Sequence, residues 1–332
     1  MREQLAKAMR GCPLTEDEAG AAMAAIMDGL ATPAQIGALL AALAARGETE
    51  DEVVGFARTL RARAVPLPSR GAVDTCGTGG DGACTFNIST VASLMVAACG
   101  VPVAKHGNRS ASGSCGSADV LEALGVRIDA PVDVVARSLA QVGWAFLFAP
   151  SFHAATRHAA GPRKELGART VFNLLGPLTN PALPEAQVVG VPRPELTGFM
   201  ARCLQRLGVR RAWVVHGGGL DEVSPCGPTT VASFDELGAR CFVLEPGEAG
   251  IGPCRPEDLR GGDAAANAAL ARAVLGGERG ARRDAALLNA AAALVVAGRC
   301  GTVRDGVALA AEAVDTGRAA DVLRSAVEIS RS

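Results

Sequence analysis

The chain has 332 residues, a formal net charge of −1, 49% hydrophobic and 20% charged residues, and 3% aromatics with no tyrosine. At about 150 residues per domain that length suggests two domains, and the apolar share supports buried cores rather than disorder. Near-neutral charge argues against a nucleic-acid or membrane-surface protein, and so few aromatics argue against base-stacking platforms.

The opening MREQLAKAMRGCPLTEDEAG lacks the apolar core of a signal peptide, and no apolar run reaches the ~18 residues of a membrane span. A soluble, cytoplasmic protein is the expectation. The ten cysteines include no C-x-x-C pair, so reduced packing thiols are expected instead of a disulfide framework or zinc site.

The first 65 or so residues read as helices. Three capping boxes follow one another, Thr15-Glu18, Thr32-Gln35 and Thr49-Glu52, with Pro33 at a first helical position. Met23, Ile26, Met27 and Leu30 keep a three–four spacing, as do Ile36, Leu39, Leu40 and Leu43. This helical unit ends near AVPLPSRG, and a domain boundary is placed there: 1–66 helical, 71–332 a larger domain. From Gly71 strand and helix patterns alternate: strand GAVDTC, helix STVASLMVAACG, strand VPVAKHG, helices ADVLEALG and VDVVARSLAQVG, strands WAFLFAP and AQVVGV, helix ELTGFMARCLQRLG, strand RAWVVHG. The alternation predicts an α/β domain with a central, mostly parallel sheet flanked by helices. A strand at GARCFVLEP and three Ala-rich helices near 264–276, 282–298 and 303–315 close the chain.

Ligands of open α/β sheets gather outside the carboxyl ends of strands. GTGGDGACTFNIST (77–90) lies at such an end. Its glycines allow positive φ and close backbone approach, which predicts an anion nest. Asn87, Ser89 and Thr90 add donors where a helix dipole favours phosphate. A P-loop would require a following lysine, which is missing. The G-x-G-x-x-G letters at 77–82 lack both a helix beginning at the last glycine and an acid near position 100.

The next strand ends in Lys105-His106-Gly107-Asn108-Arg109-Ser110-Ala111-Ser112-Gly113-Ser114, followed by a helix start at Gly116-Ser117-Ala118-Asp119. Two adjacent anion-binding strand ends suggest a ligand with more than one phosphate. A third strand end carries His216 and the pair Asp221-Glu222. Alone, such a pair is an ordinary solvated loop; beside two phosphate cradles it suggests Mg²⁺, which takes a few protein oxygens plus ligand phosphates. His106 is open to either an acceptor-site or a structural role, and His216 reads as a loop-orienting group. Cys76, Cys84 and Cys115 read as packing residues.

GTGGDGACTFNIST (77–90), KHGNRSASGSCGSADVLEALG (105–125), RKELGARTVFNLLGPLTNPA (163–182) and HGGGLDEVSPCGPT (216–229) resemble, in order, the motifs of the anthranilate phosphoribosyltransferases, whose fold is shared with pyrimidine nucleoside phosphorylases. The likeness runs nearly end to end, through GGDAAANA and RDAALLNAAAAL. It implies transfer of phosphoribose from phosphoribosyl pyrophosphate to the amine of anthranilate, a step of tryptophan biosynthesis. It further implies that Gly77, Gly80, Asp81, Thr85, Asn87, Ile88, Ser89 and Thr90 hold the donor. Lys105, His106, Gly107, Asn108, Arg109, Ser110, Ala111, Ser112, Gly113 and Ser117 complete that cradle.

By the same resemblance Gly77, Asn108 and Arg163 position anthranilate, and Lys105, Asn108 and Arg163 form the catalytic set. Two Mg²⁺ ions per site are implied, one on Ser89 and one on Asp221 with Glu222. The resemblance also implies a homodimer through the helical domain, a helical contribution from about 165–182, and a hinge near Gly176-Pro177. No nucleic-acid or membrane partner is expected.

The chain departs from the family at Phe152-His153-Ala154-Ala155-Thr156-Arg157-His158, where Phe-His-Pro-Ala-Met-Arg-His is usual, and at Ala160-Gly161-Pro162-Arg163, where Ala-Pro-Val-Arg is usual. Ser112-Gly113-Ser114-Cys115 departs as well. These changes touch the acceptor side and keep open a paralogue acting on a substituted anthranilate. A pyrimidine nucleoside phosphorylase is the other alternative.

Overall fold

The computed structural model describes residues 1–67, 69–110 and 115–332. Four helices come first: α1 (Arg2–Met9), α2 (Glu16–Met27), α3 (Pro33–Arg46) and α4 (Glu50–Arg63). All three capping boxes form, with Thr15, Thr32 and Thr49 each accepting from the backbone N–H three residues on. Each box satisfies two donors that a helix start leaves orphaned. Glu52 does more than cap: fully buried, it accepts from Thr49 N at 2.9 Å and Leu14 N at 2.8 Å, and it pairs with Arg46. Leu30 departs from the expected apolar stripe. α2 ends at Met27, so Leu30 falls beyond the helix and is 76% exposed.

The larger part begins with β1 (Val73–Gly77), α5 (Ile88–Ala98), β2 (Val103–Gly107), α6 (Ser117–Leu124), α7 (Val132–Val142) and β3 (Trp144–Phe148). The chain then passes through α8 (Ala149–Phe152), α9 (Arg157–Leu166) and α10 (Phe172–Leu178). It returns as β4 (Ala186–Gly190), α11 (Leu196–Arg206), β5 (Arg211–Gly217), β6 (Thr229–Asp235) and β7 (Gly238–Leu244). Four helices close it: α12 (Ala264–Leu275), α13 (Ala281–Val296), α14 (Val303–Asp315) and α15 (Arg318–Ser330). β6 and α15 were not foreseen from the sequence.

Among the described residues seven strands form one sheet in the order β3-β2-β1-β4-β5-β6-β7. The first five are mutually parallel, and β6 and β7 add an antiparallel edge. The order reverses at β1, where the chain builds outward first to β2 and β3 and then to β4 and β5; such a switch point opens a crevice at the strand ends.

Pairing around β1 is uneven. β1 and β4 share five register pairs and β2 and β3 share five, but β1 and β2 share only Val73 with Val103. The strands splay past that pair, and side chains replace the missing ladder. Lys105 Nζ donates to Thr75 O at 2.5 Å, His106 N donates to Asp74 Oδ1 at 3.3 Å, and Asn180 Nδ2 donates to Ala104 O at 2.8 Å.

The two faces of the sheet feed separate apolar clusters. On one face Val188 and Val215 pack with α5, α12, α13 and α14. On the other, Val189 and Val214 join a cluster running through α11, α10 and α9 into α2, α3 and α4. Alternation along β4 and β5 decides which valine goes where. The helical unit thus gains α9, through Ala159, and α10, through Phe172, Leu174, Leu175 and Leu178. Among the described residues, no helix is long and apolar enough to cross a membrane.

Candidate active site

β1, β2 and the β5–β6 connection deliver their ends to one place. The glycine loop leaves β1 with Gly79, Gly80 and Gly82 all at positive φ, between 70° and 84°. Its shape is held by carboxylates. Asp81 Oδ1 accepts from Ala83 N at 3.1 Å and its Oδ2 from Asp221 N at 3.3 Å, while Asp221 Oδ2 accepts from Gly79 N at 2.7 Å. Arg169 reaches in to donate to Gly79 O at 2.8 Å, and a Cβ on Gly80 would lie 1.5 Å from its Nη1.

Two further glycines make room for the acid loop. A Cβ on Gly77 would fall 2.2 Å from Asp221 Oδ2, and one on Gly190 would fall 1.5 Å from Asp221 O. Both strand ends therefore lack side chains where Asp221 lies.

Below the loop, Glu222 Oε1 accepts from Ser89 N at 3.2 Å, and Lys105 Nζ donates to Ser89 Oγ at 3.3 Å. Ser89 is in the first turn of α5, so its N–H is one of the donors a helix start leaves without an intrahelical partner. Asp221 and Glu222 keep some surface toward the cleft, yet protein closes around both carboxylates. Burial pushes Glu222 up to about 8, against the attraction of Lys105, and burial together with Glu222 and Asp81 holds Asp221 well above the usual carboxylate range. Two buried acids and Asp81 crowded in this way favour a cation between them. Among the described residues no three His, Cys, Asp or Glu side chains form a closed metal cage. An acid pair beside a serine hydroxyl is instead an open set of hard oxygens, which suits Mg²⁺ carried in with phosphates.

Asn87 ties three segments together. Its Nδ2 donates to Cys115 O at 3.2 Å, and its Oδ1 accepts from Asn267 Nδ2 at 3.0 Å. Ile88 and Thr90 are buried in the first turn of α5, and Thr85 bridges to Arg260. Asn87 is therefore a strut rather than the open donor expected.

Along the second strand end, Asn108 Oδ1 caps Arg109 N at 2.8 Å, and Asn108 O accepts from Ala118 N at 3.2 Å. Ser117 Oγ fills the space over Gly107, where a Cβ would meet it at 2.2 Å. Arg109 is committed to α6 through Asp119 and Glu122, both at 2.9 Å. Ser110 N donates to Asp119 Oδ2 at 3.0 Å. Ala111, Ser112 and Gly113 lie outside the described residues.

His106 sits behind this wall. Its Nδ1 donates to Gly176 O at 3.2 Å, which leaves Nε2 without a proton, and that atom is buried without a partner among the described residues. Burial, with His153 adding to it, lowers the ring to about 3, so it stays neutral. The His153 ring lies 5.3 Å away and donates through Nε2 to Thr179 O at 2.8 Å. His158 packs against Gly29 in the helical unit. Arg163, on α9, stacks over Phe172 at 4.6 Å, and burial lowers its pKa. His216 Nδ1 donates to Val191 O at 2.9 Å, holding the end of β5.

Ser89, Lys105, Asp221 and Glu222 thus converge, as do Gly77 and Asp81 with the acid loop, while Gly80 lies against Arg169. Asn108 and Arg163 are each engaged with their own neighbours instead. Sequence reasoning missed Arg169, Asn267 and the buried pair Asp74–Asn180 (Oδ2 to Nδ2, 2.8 Å). GGDAAANA, which contains Asn267, was the available signal for one of these. A surface cavity of about 700 Å³ lies elsewhere, against Trp213, Phe242 and Val296 at the antiparallel edge.

This two-part build is that of a glycosyl transferase: the α/β-domain model of a glycosyl transferase family matches residues 69–320, and its helical-bundle model matches residues 2–64. Curated relatives are similar over nearly the whole length. The anthranilate phosphoribosyltransferase of Moorella thermoacetica is 54% identical over 98% of this chain and 97% of its own. Anthranilate phosphoribosyltransferase 2 of Streptomyces coelicolor is 55% identical, covering 94% of each. Among solved structures, the Thermus thermophilus enzyme superposes with a TM-score of 0.93 at 46% identity over 99% of both chains. That of Saccharomyces cerevisiae, in complex with PRPP and Mg, gives 0.88 at 27% identity over 96% of this chain and 94% of that one. The chain belongs to the anthranilate phosphoribosyltransferase family.

Proposed function

We propose that this chain transfers the phosphoribosyl group of phosphoribosyl pyrophosphate to the amine of anthranilate, releasing pyrophosphate. The observation that carries the reading is the acid pair Asp221–Glu222 held against Ser89 and Lys105 at adjoining strand ends. In this reading the loop from Gly77 to Thr90 and the strand end from Lys105 to Ser117 cradle the donor.

Ser89, Asp221 and Glu222 would hold two Mg²⁺ ions. Bound magnesium would supply positive charge against the phosphates as the leaving group gains charge. Lys105, 1% exposed and fixed by Thr75 and Ser89, adds a charge that needs no reorganisation. Anthranilate's weakly basic amine already carries a usable lone pair, so the chain needs no strong base. Asn108 and Arg163 are proposed to set the amine against C1 of the ribose. The raised pKa of the acid pair supports a site organised to receive a cation.

The proposed domains are 1–66, extended by the helical segment at 165–182, and 71–332. A homodimer through the helical unit is proposed as well, with Met9 at 70% and Leu30 at 76% exposure offering apolar surface there. Ten free thiols suit the cytoplasm.

The test is the loss of anthranilate fluorescence on adding phosphoribosyl pyrophosphate and Mg²⁺. Asp221→Asn with Glu222→Gln should cut turnover by about a thousandfold, the several kcal/mol of a lost metal site, with the circular dichroism spectrum unchanged. Wild-type rates in that double variant would remove the metal assignment. No fluorescence loss with the unmodified chain would favour a substituted anthranilate as acceptor.

A further inference from the structure

Cys226 and Cys254 take no part in the donor chemistry, yet their Sγ atoms face each other at 3.0 Å. The backbones meet as well, since Cys254 N donates to Pro225 O at 3.3 Å. Both residues are half-buried, so a small solute reaches them.

Each cysteine belongs to a segment that shapes the donor site. Cys226 is on the β5–β6 connection that carries Asp221 and Glu222, with its N–H donating to Ser224 Oγ at 3.0 Å. Cys254 lies between the short 3-10 turns Pro246–Ala249 and Pro256–Leu259. The chain then runs directly behind the glycine loop: Leu259 O accepts from Phe86 N at 3.0 Å, and Gly261 N donates to Cys84 O at 3.0 Å. A bond between the two sulfurs would close a ring through the acid loop and the strap behind the glycine loop. A disulfide holds its sulfurs about 2.05 Å apart, so closure needs an approach of about 1 Å.

The geometry points to Cys226 and Cys254 as a reversible disulfide site, formed by exchange with a small-molecule disulfide, that ties the acid loop to the strap behind the glycine loop and slows turnover. Cys226 Sγ, as thiolate, attacks one sulfur of the oxidant; the oxidant's S–S bond breaks and its first thiol leaves. Cys254 then loses its proton, attacks Cys226 Sγ and displaces the second thiol. Two protein thiols are oxidised, and one disulfide is reduced to two thiols. Burial, with Cys226 beside it, pushes Cys254 up to about 12. Cys254 therefore takes the intramolecular attack, where proximity compensates for a reluctant thiol. Turnover slows because the loop holding Asp221 and Glu222 loses the freedom to settle around the donor, an effect that rests on the proposed function; the bond itself does not.

The experiment treats the full chain with oxidised glutathione under native conditions, alkylates the remaining thiols and maps peptides by fragmentation. Expected is a Cys226–Cys254 cross-link with a loss of about 2 Da, reversed by dithiothreitol and missing from both Cys254→Ser and Cys226→Ser. Oxidised wild type should turn over several-fold more slowly and recover on reduction, while both variants keep their rates under oxidant. A cross-link confined to other cysteines, such as Cys99 with Cys300, or glutathione adducts alone, would overturn the site. A Cys226–Cys254 cross-link that leaves turnover unchanged would overturn the restraint on the acid loop.

Discussion

His106 shows how one residue can be legible in kind and illegible in role. Its place after Lys105 marked it as part of a strand-end cluster, but its burial and its hydrogen bond to Gly176 come from a segment far along the chain. Folding holds the ring near 3, whereas an unfolded histidine titrates near 6.5. A depressed pKa means that protons favour the unfolded chain. The contribution is therefore complete above pH 6.5 and is lost as pH falls toward 3. His106→Gln should show a shallower loss of Tm than the wild type between pH 6.5 and 4, read by calorimetry across matched buffers. Equal slopes would mean that the imidazole is not kept neutral by the fold. Asn87 teaches the complementary lesson. Its amide was read correctly as a polar group at a helix start, but Cys115 and Asn267 claim it, and no spacing rule connects those positions.

At the level of elements, the sequence was most informative where local chemistry decides the structure. The capping boxes at Thr15, Thr32 and Thr49 formed because each needs only four consecutive residues. α15 escaped notice because it begins after Gly317 with no capping side chain. β6 escaped because TTVASFD owes its strand state to hydrogen bonds with β5 and β7 rather than to its own pattern. The opening between β1 and β2 was invisible for the same reason. There Asn180 donates to both Asp74 and Ala104, and its Oδ1 accepts from Ala182 N at 2.9 Å. Asn180→Ala would leave a buried carboxylate and a buried carbonyl without that donor. The expected cost is about 1–3 kcal/mol per stranded group, measured as a lower urea midpoint at unchanged m-value. A midpoint within error of wild type would mean that water or Lys105 fills the gap.

Across the whole molecule, the change from helical pattern to strand–helix alternation after AVPLPSRG was legible in the sequence, but the apolar continuity across it was not. Met23, Ile36 and Phe56 of the first helices share a cluster with Val189, Met200, Leu204 and Val214. Helices α9 and α10, which follow β3 in the chain, join the first helices and Val189 of β4 in that cluster. A fragment of residues 69–332 would expose that face of β4, β5 and α11 to water. It should aggregate or bind hydrophobic dyes strongly, in contrast to the full chain. A monodisperse fragment with a cooperative thermal transition would show that the two parts fold independently. Gly77 and Gly190 bear on the same molecule from another direction. They stand in different strands and never touch a common sequence motif, yet each is small on account of Asp221. Neither strand can accept a larger residue while the acid loop remains seated, and a descendant that discarded the loop would be free to fill both. The two vacancies therefore act as a record of use: reading positions 77 and 190 together reports whether a chain of this fold still keeps its acid in place.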